Sequence, residues 1–206
     1  MTTSHPGRPA AKAGNSLPMY VALVPWLLFT VIAEHGTLKI ASIAALVIAV
    51  GIAIPGIRQG NPKVIEIGAA VAFAGFTVVA FAADASVAHW LERYARAVAA
   101  GLLAIIALGS LLFTPFTEQY ARERVPRELW SSPRFKAINR QLTLLWAGVF
   151  CVMVVSHVIA GEIDKRGANI FFNWVVPIFL VLSAVKRIDV ITGKDDDNAA
   201  VEERVA

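Results

Sequence analysis

Charge and sulfur are both scarce in this sequence. Only 17% of its 206 residues are charged, where a soluble domain carries about a quarter. The single cysteine, Cys151, excludes an intrachain disulfide and any cysteine-based metal site. It lies inside an apolar run and reads as a small packing residue. Catalytic signatures are missing too. There is no H-E-x-x-H, no P-loop, no G-x-S-x-G and no carboxylate pair at helical spacing within an apolar run. The run Asp195-Asp196-Asp197 has no second acidic motif to complete a metal site, so it reads as a solvated tail. The expectation is therefore a protein with no enzymatic activity and no cofactor.

Apolar residues are abundant instead. They make up 57% of the chain, and the mean hydropathy is +0.63. Such a surplus calls for lipid as solvent. Six runs with few or no charges stand at residues 17–33, 40–57, 67–83, 97–116, 141–160 and 168–185. Each is long enough, at roughly 1.5 Å per residue, to approach the ~30 Å of a bilayer core. The sequence thus predicts an all-α polytopic bundle of six spans over residues 17–187. A polar tail, residues 1–16, precedes it, and an acidic tail, residues 188–206, follows. The first run also has the features of a cleavable signal peptide. Pro18, Pro25 and Trp26 within it, and the spans that follow at once, favour a retained anchor.

Orientation follows from the basic residues. The two tails, loop two–three and loop four–five hold 14 Lys and Arg, while the other three loops hold 5. Positive loops stay inside, so both termini are expected in the cytoplasm and the protein in the plasma (inner) membrane. The net charge of +4 would suggest nucleic acid in a soluble protein. Here the cations lie between spans, which points to anionic lipid headgroups and not to nucleic acid.

Small residues recur along several spans. Ala41, Ala45, Ala49 and Ala53 repeat every fourth position, Gly68, Ala72 and Gly75 follow a similar row, and Ala97 and Gly101 begin another. Such rows let helix backbones approach closely in lipid, and they suit contact with other helices. Charges near spans are the functional candidates. Glu34, His35 and Lys39 cluster in the turn after span one, Glu66 opens span three, Asp84 closes it, and His157 lies near the outer end of span five. Glu34, His35 and His157 would suit a proton-linked or ligand-binding group. The plainer account is that all lie within a turn of the interface and are solvated there. Asn173 and Thr143 are suited to interhelical hydrogen bonds, usually worth ~0.6 kcal/mol each. Pro25 and Pro177 are candidate kinks.

Loop four–five, residues 115–140, is the most informative polar segment. Phe116, Tyr120, Leu129, Trp130, Phe135 and Ile138 alternate with Arg122, Arg124, Arg127, Arg134, Lys136 and Arg140. Thr117 is a candidate N-cap, and Ser132-Pro133 reads as the cap and first position of the next helix. An aromatic and basic loop of this kind is expected on the headgroups, as a topology anchor or as a docking site for a partner. Trp130 and Arg140 are the interface candidates within it.

The order of these features resembles a known family. Span one carries Val24-Pro25-Trp26-Leu27-Leu28-Phe29, a tight turn leads to an Ala-rich span two, and residues 84–96 form an acidic, Trp-containing outer segment. A basic loop then precedes Leu142, Trp146, Ala147 and Phe150, and the last span opens on Asn173-Trp174. Over residues 17–186 this resembles the intracellular septation protein A family of small bacterial inner-membrane proteins. The longer loop four–five and the two tails mark a diverged branch. The resemblance implies a role in envelope maintenance or septum formation through contacts with other membrane proteins, and it carries over no catalytic residue. The competing expectation is a small proton-linked transporter or channel built on Glu34, His35 and His157.

The topology has a direct test. In a Cys151→Ala background, cysteines introduced as Ser4→Cys or Asn198→Cys should resist an impermeant thiol reagent in intact cells. Their labelling would place the termini outside.

Overall fold

The computed structural model describes residues 19–192, apart from the side chain of His35. The tails expected at residues 1–16 and 193–206 lie outside this range. Every regular element among the described residues is helical. A 3-10 turn, Met19–Leu23, leads into α1, Val24–His35, and α2, Leu38–Arg58, and α3, Val64–Ala82, follow. Next come α4, Ala85–Ser110, the short α5, Phe116–Ala121, and α6, Pro133–Ile163. The last helical stretch has three parts. These are α7, Arg166–Ile170, a π-helical turn, Phe171–Val175, and α8, Val176–Thr192.

Four of these segments are long and apolar enough to cross a membrane: Leu38–Arg58, Val64–Ala82, Pro133–Ile163 and Arg166–Thr192. The chain is a membrane protein of helical type. Met19–Glu34 is apolar but shorter. The fourth apolar run begins in the C-terminal half of α4, whose N-terminal half carries His89, Glu92, Arg93 and Arg96. Residues 84–96 are therefore no loop. Asp84 accepts from the backbone N–H of Ser86 at 2.9 Å and of Val87 at 3.0 Å, caps α4, and so starts the helix two residues after α3 ends. The Val87 N–H, then the Ser86 hydroxyl and the Ser86 N–H, hold the Asp84 carboxyl below its ordinary range. Helix α6 also starts before its apolar run. Ser132 accepts from the Phe135 N–H at 3.2 Å and Pro133 sits in the first turn, as its sequence predicts. At the other end α8 continues to Thr192, into the stretch expected as tail.

Packing follows the small residues. Ala41, Ala45, Ala49 and Ala53 are all 3% exposed or less, on the face where α2 meets α1 and α3. The row meets other helices of the bundle itself, and α2 presents Ile40, Val47 and Ile54 outward. Gly68 allows a second close approach, since a Cβ there would lie 2.6 Å from Ile106 Cδ1 of α4. Gly161 does the same between α6 and α4, where a Cβ would meet Tyr94 Cε1 at 2.7 Å. Between α1 and α3, Trp26, Phe29, Phe73 and Phe76 interlock, with ring centroids 4.8 Å apart for Trp26–Phe73 and for Phe29–Phe76. Trp146 is buried beside Phe150, centroids 5.8 Å apart. The indole N–H groups of Trp26 and Trp146 are buried without a hydrogen-bond partner among the described residues, at a cost of ~1–3 kcal/mol each.

Bulk placed on the alanine row should overpack it. Ala45→Leu and Ala49→Leu are each expected to destabilise the bundle by ~1–3 kcal/mol, read as a lower thermal midpoint in detergent. Val47→Leu, on the exposed face of the same helix, should leave the midpoint unchanged.

Candidate functional site

Polar side chains gather at the two ends of the bundle. The end that includes Glu34 joins four elements. Glu34, in the last turn of α1, forms an ion pair with Arg96 of α4. The same carboxylate oxygen accepts from Trp174 Nε1 at 3.1 Å. Arg96 Nε is buried and has no hydrogen-bond partner among the described residues. On α6, His157 and Ser156 face the π-turn. Ser156 Oγ donates to the Phe172 carbonyl at 2.6 Å, and His157 Nδ1 lies 2.8 Å from Asn173 Oδ1. Since that acceptor is an amide oxygen, the bond fixes the proton on Nδ1. Asn173 Nδ2 in turn reaches Asn169 Oδ1 at 3.4 Å.

The π-turn has a covalent cause. The Val176 N–H bonds to the Phe171 carbonyl, five residues back. In that register the next donor, for Phe172, would be residue 177, which is proline and has no N–H. The Ser156 hydroxyl supplies the missing donor. Proline 177 therefore does not kink the helix freely; it leaves one carbonyl open, and α6 closes it. Pro25 lies in the first turn of α1, where an absent N–H has no consequence.

At the opposite end α5 docks over the start of α3. Glu66 is 3% exposed, and its Oε1 accepts from the Tyr120 hydroxyl at 3.0 Å. Lys63, also buried, lies 3.7 Å from Glu66 and 2.8 Å from Glu123, with its ammonium 4.5 Å from the Tyr120 ring centroid. Burial, then the charge of Glu66, raises the Tyr120 phenol far above its ordinary value, so it remains a donor. Thr117 does not cap α5, whose N-cap is Pro115. Its hydroxyl lies 2.7 Å from the Asn139 carbonyl, to which it donates, and 2.9 Å from Thr143 Oγ1, joining α5 to α6.

The expected trio is thus divided. Glu34 is bonded to Arg96 and Trp174, His157 to Asn173, and the His35 side chain lies outside the described part. Glu66 belongs to the other end. Trp146 is a core residue. Trp130 is tied into its own loop, donating from Nε1 to the Val125 carbonyl at 2.9 Å, with the guanidinium groups of Arg122 and Arg127 5.2 and 5.5 Å from its ring centroid. Phe116 and Tyr120, expected on the headgroups, are buried. Arg140 is exposed on the second turn of α6. Sequence reading missed Arg96, Trp174, Lys63 and Tyr120. Arg96 carried the one available signal, a charge bordering an apolar run. Among the described residues no group of three or more His, Cys, Asp or Glu is placed to hold a metal ion. No family model, no curated protein and no solved structure matches the chain.

Glu34 accepts from both Arg96 and Trp174, so its loss leaves a cation and an indole unpaired. Glu34→Gln should lower stability by ~1–3 kcal/mol. In a double-mutant cycle with Arg96→Gln the two losses should be clearly less than additive; additivity would show that the pair contributes nothing.

Proposed function

We propose that this protein is a six-span plasma-membrane protein, with both termini cytoplasmic, that acts without catalysis by binding other membrane proteins of the envelope or division machinery. The resemblance to the septation protein A family gives this reading its biological setting. The observation that carries it is the filled middle of the bundle. Phe29, Ala45, Ala49, Phe73, Leu103 and Ala107 are all 7% exposed or less, and the ionisable clusters stand at opposite ends of this apolar section. A transporter needs polar groups near mid-bilayer that open alternately to each side. With the alanine row internal, the polar half of α4, where His89, Trp90 and Glu92 are exposed, offers a surface for a partner.

One observation favours the transporter: Arg96 Nε, buried and unpaired beside a π-turn, since such turns are common at functional sites.

The two readings separate in one pair of measurements. His89→Ala, Trp90→Ala and Glu92→Ala together should abolish complementation of the envelope or division defect in a deletion strain, at unchanged membrane expression. The wild-type protein in liposomes should pass no protons beyond the protein-free leak under an imposed pH gradient. Flux that His157→Ala removes, together with full complementation by the α4 variant, would establish the transporter instead.

A further inference from the structure

The basic residues of the 116–140 segment fall into two classes once their partners are known. Lys63 of the α2–α3 turn and Arg122 are neutralised within the fold. Lys63 lies between Glu66 and Glu123, and Arg122 reaches Glu118 through Nε at 3.1 Å and Nη2 at 2.6 Å. Arg124, Arg127, Arg134, Lys136 and Arg140 are exposed, and no ion pair engages any of them among the described residues. The acids of the same segment do not offset them. Glu118 is buried, Glu123 is bound to Lys63, and Glu128 alone is exposed.

Beside this charge stands an apolar wedge. Leu112 and Phe113, in the turn after α4, are 80% and 90% exposed, the highest values among the large hydrophobic side chains. The turn is held in place. Phe116 N–H donates to Ser110 Oγ at 3.0 Å, and Thr117 bonds to the carbonyl of Asn139, the residue before Arg140. Trp130, clasped by Arg122, Arg127 and the Val125 carbonyl, holds the intervening loop folded. An exposed apolar tip and a set of exposed cations, carried on backbone that hydrogen-bonded turns join at the same end of α6, match the boundary between acyl chains and phosphates.

We propose that this patch is a seat for an anionic phospholipid. Leu112 and Phe113 enter the acyl layer, and Arg134, Lys136 and Arg140, with Arg124 and Arg127, bind the headgroup phosphate. Guanidinium groups suit that ligand because they meet phosphate oxygens in bidentate fashion. The proposal needs only that the bundle sits in a membrane, and it holds or fails independently of any protein partner.

The test uses the full chain in phosphatidylcholine vesicles with spin-labelled lipids, whose motionally restricted fraction gives relative association constants. Spin-labelled phosphatidylglycerol should be favoured over spin-labelled phosphatidylcholine by about fivefold at low salt. The preference should collapse at about 1 M salt, where screening is nearly complete. Arg134→Gln, Lys136→Gln and Arg140→Gln together should remove most of it. Lys186→Gln with Arg187→Gln, exposed on α8, should leave it intact and thereby control for general charge. Equal association of the two lipids overturns the proposal. So does a preference that survives in the triple variant, which would leave those cations for an acidic protein segment. Inorganic phosphate that erases the preference at matched ionic strength also overturns it, by showing an anion site that does not need lipid.

Discussion

Two helices surrounded by lipid gain nothing from the hydrophobic effect when they touch, so their contact rests on how closely the backbones approach. In this protein that distance is set by methyl groups and hydrogens. Ala41, Ala45, Ala49 and Ala53 line the buried face of α2, Gly68 admits Ile106, and Gly161 admits the ring of Tyr94. The rest of the bundle depends on these approaches. With α2 drawn in, Trp26 and Phe29 of α1 can reach Phe73 and Phe76 of α3. With α4 held against α6, Arg96 can reach Glu34 while Ser156 and His157 face the π-turn. Dispersion across these contacts is small per atom pair and large in sum.

Polar chemistry is arranged around that apolar middle. At one end the turn before Pro177 leaves the Phe172 carbonyl without its donor, and α6 supplies one from the Ser156 hydroxyl. At the other end α5 folds back, and its Gln119 side chain accepts from the Val64 N–H at 2.8 Å, a donor that the first turn of α3 leaves free. Both devices answer the same demand, that no backbone group near the apolar section stays unpaired.

Much of this order was legible in the sequence, because a bilayer imposes length and polarity on each span. The apolar runs appear as helices in the expected sequence, and Ser132-Pro133 begins α6 because its cap chemistry is local. Errors arose where a distant group decides the outcome. Thr117 has the composition of a cap, yet Asn139 and Thr143 claim its hydroxyl from 22 and 26 residues away. Residues 84–96 look like a polar loop, but Asp84 starts a helix whose apolar face, Leu91 and Ala95, is covered. The alanine row was visible, and nothing local says whether its partner is this chain or another. Glu66 was visible as a charge at a span end, whereas Lys63 and Tyr120 could be joined to it only in three dimensions.

The ionic groups at the two ends raise a last question, because exposed pairs contribute little and buried ones seldom add net stability over apolar residues of the same volume. Their use here is register. An alanine row that repeats every fourth residue fits its neighbour almost equally well after a slide of one turn, roughly 5–6 Å. An Ala-rich bundle therefore has several packings of similar energy, and dispersion alone does not choose among them. The polar bonds have no such periodicity. A slide of α3 by one turn carries Glu66 away from Tyr120, and a slide of α1 carries Glu34 away from both Arg96 and Trp174. In each case polar groups that are bonded in the native packing lose their partners, which costs free energy that the apolar contacts do not return. Close packing holds the helices together, and the two ionic ends select which of the near-equivalent packings is the native one.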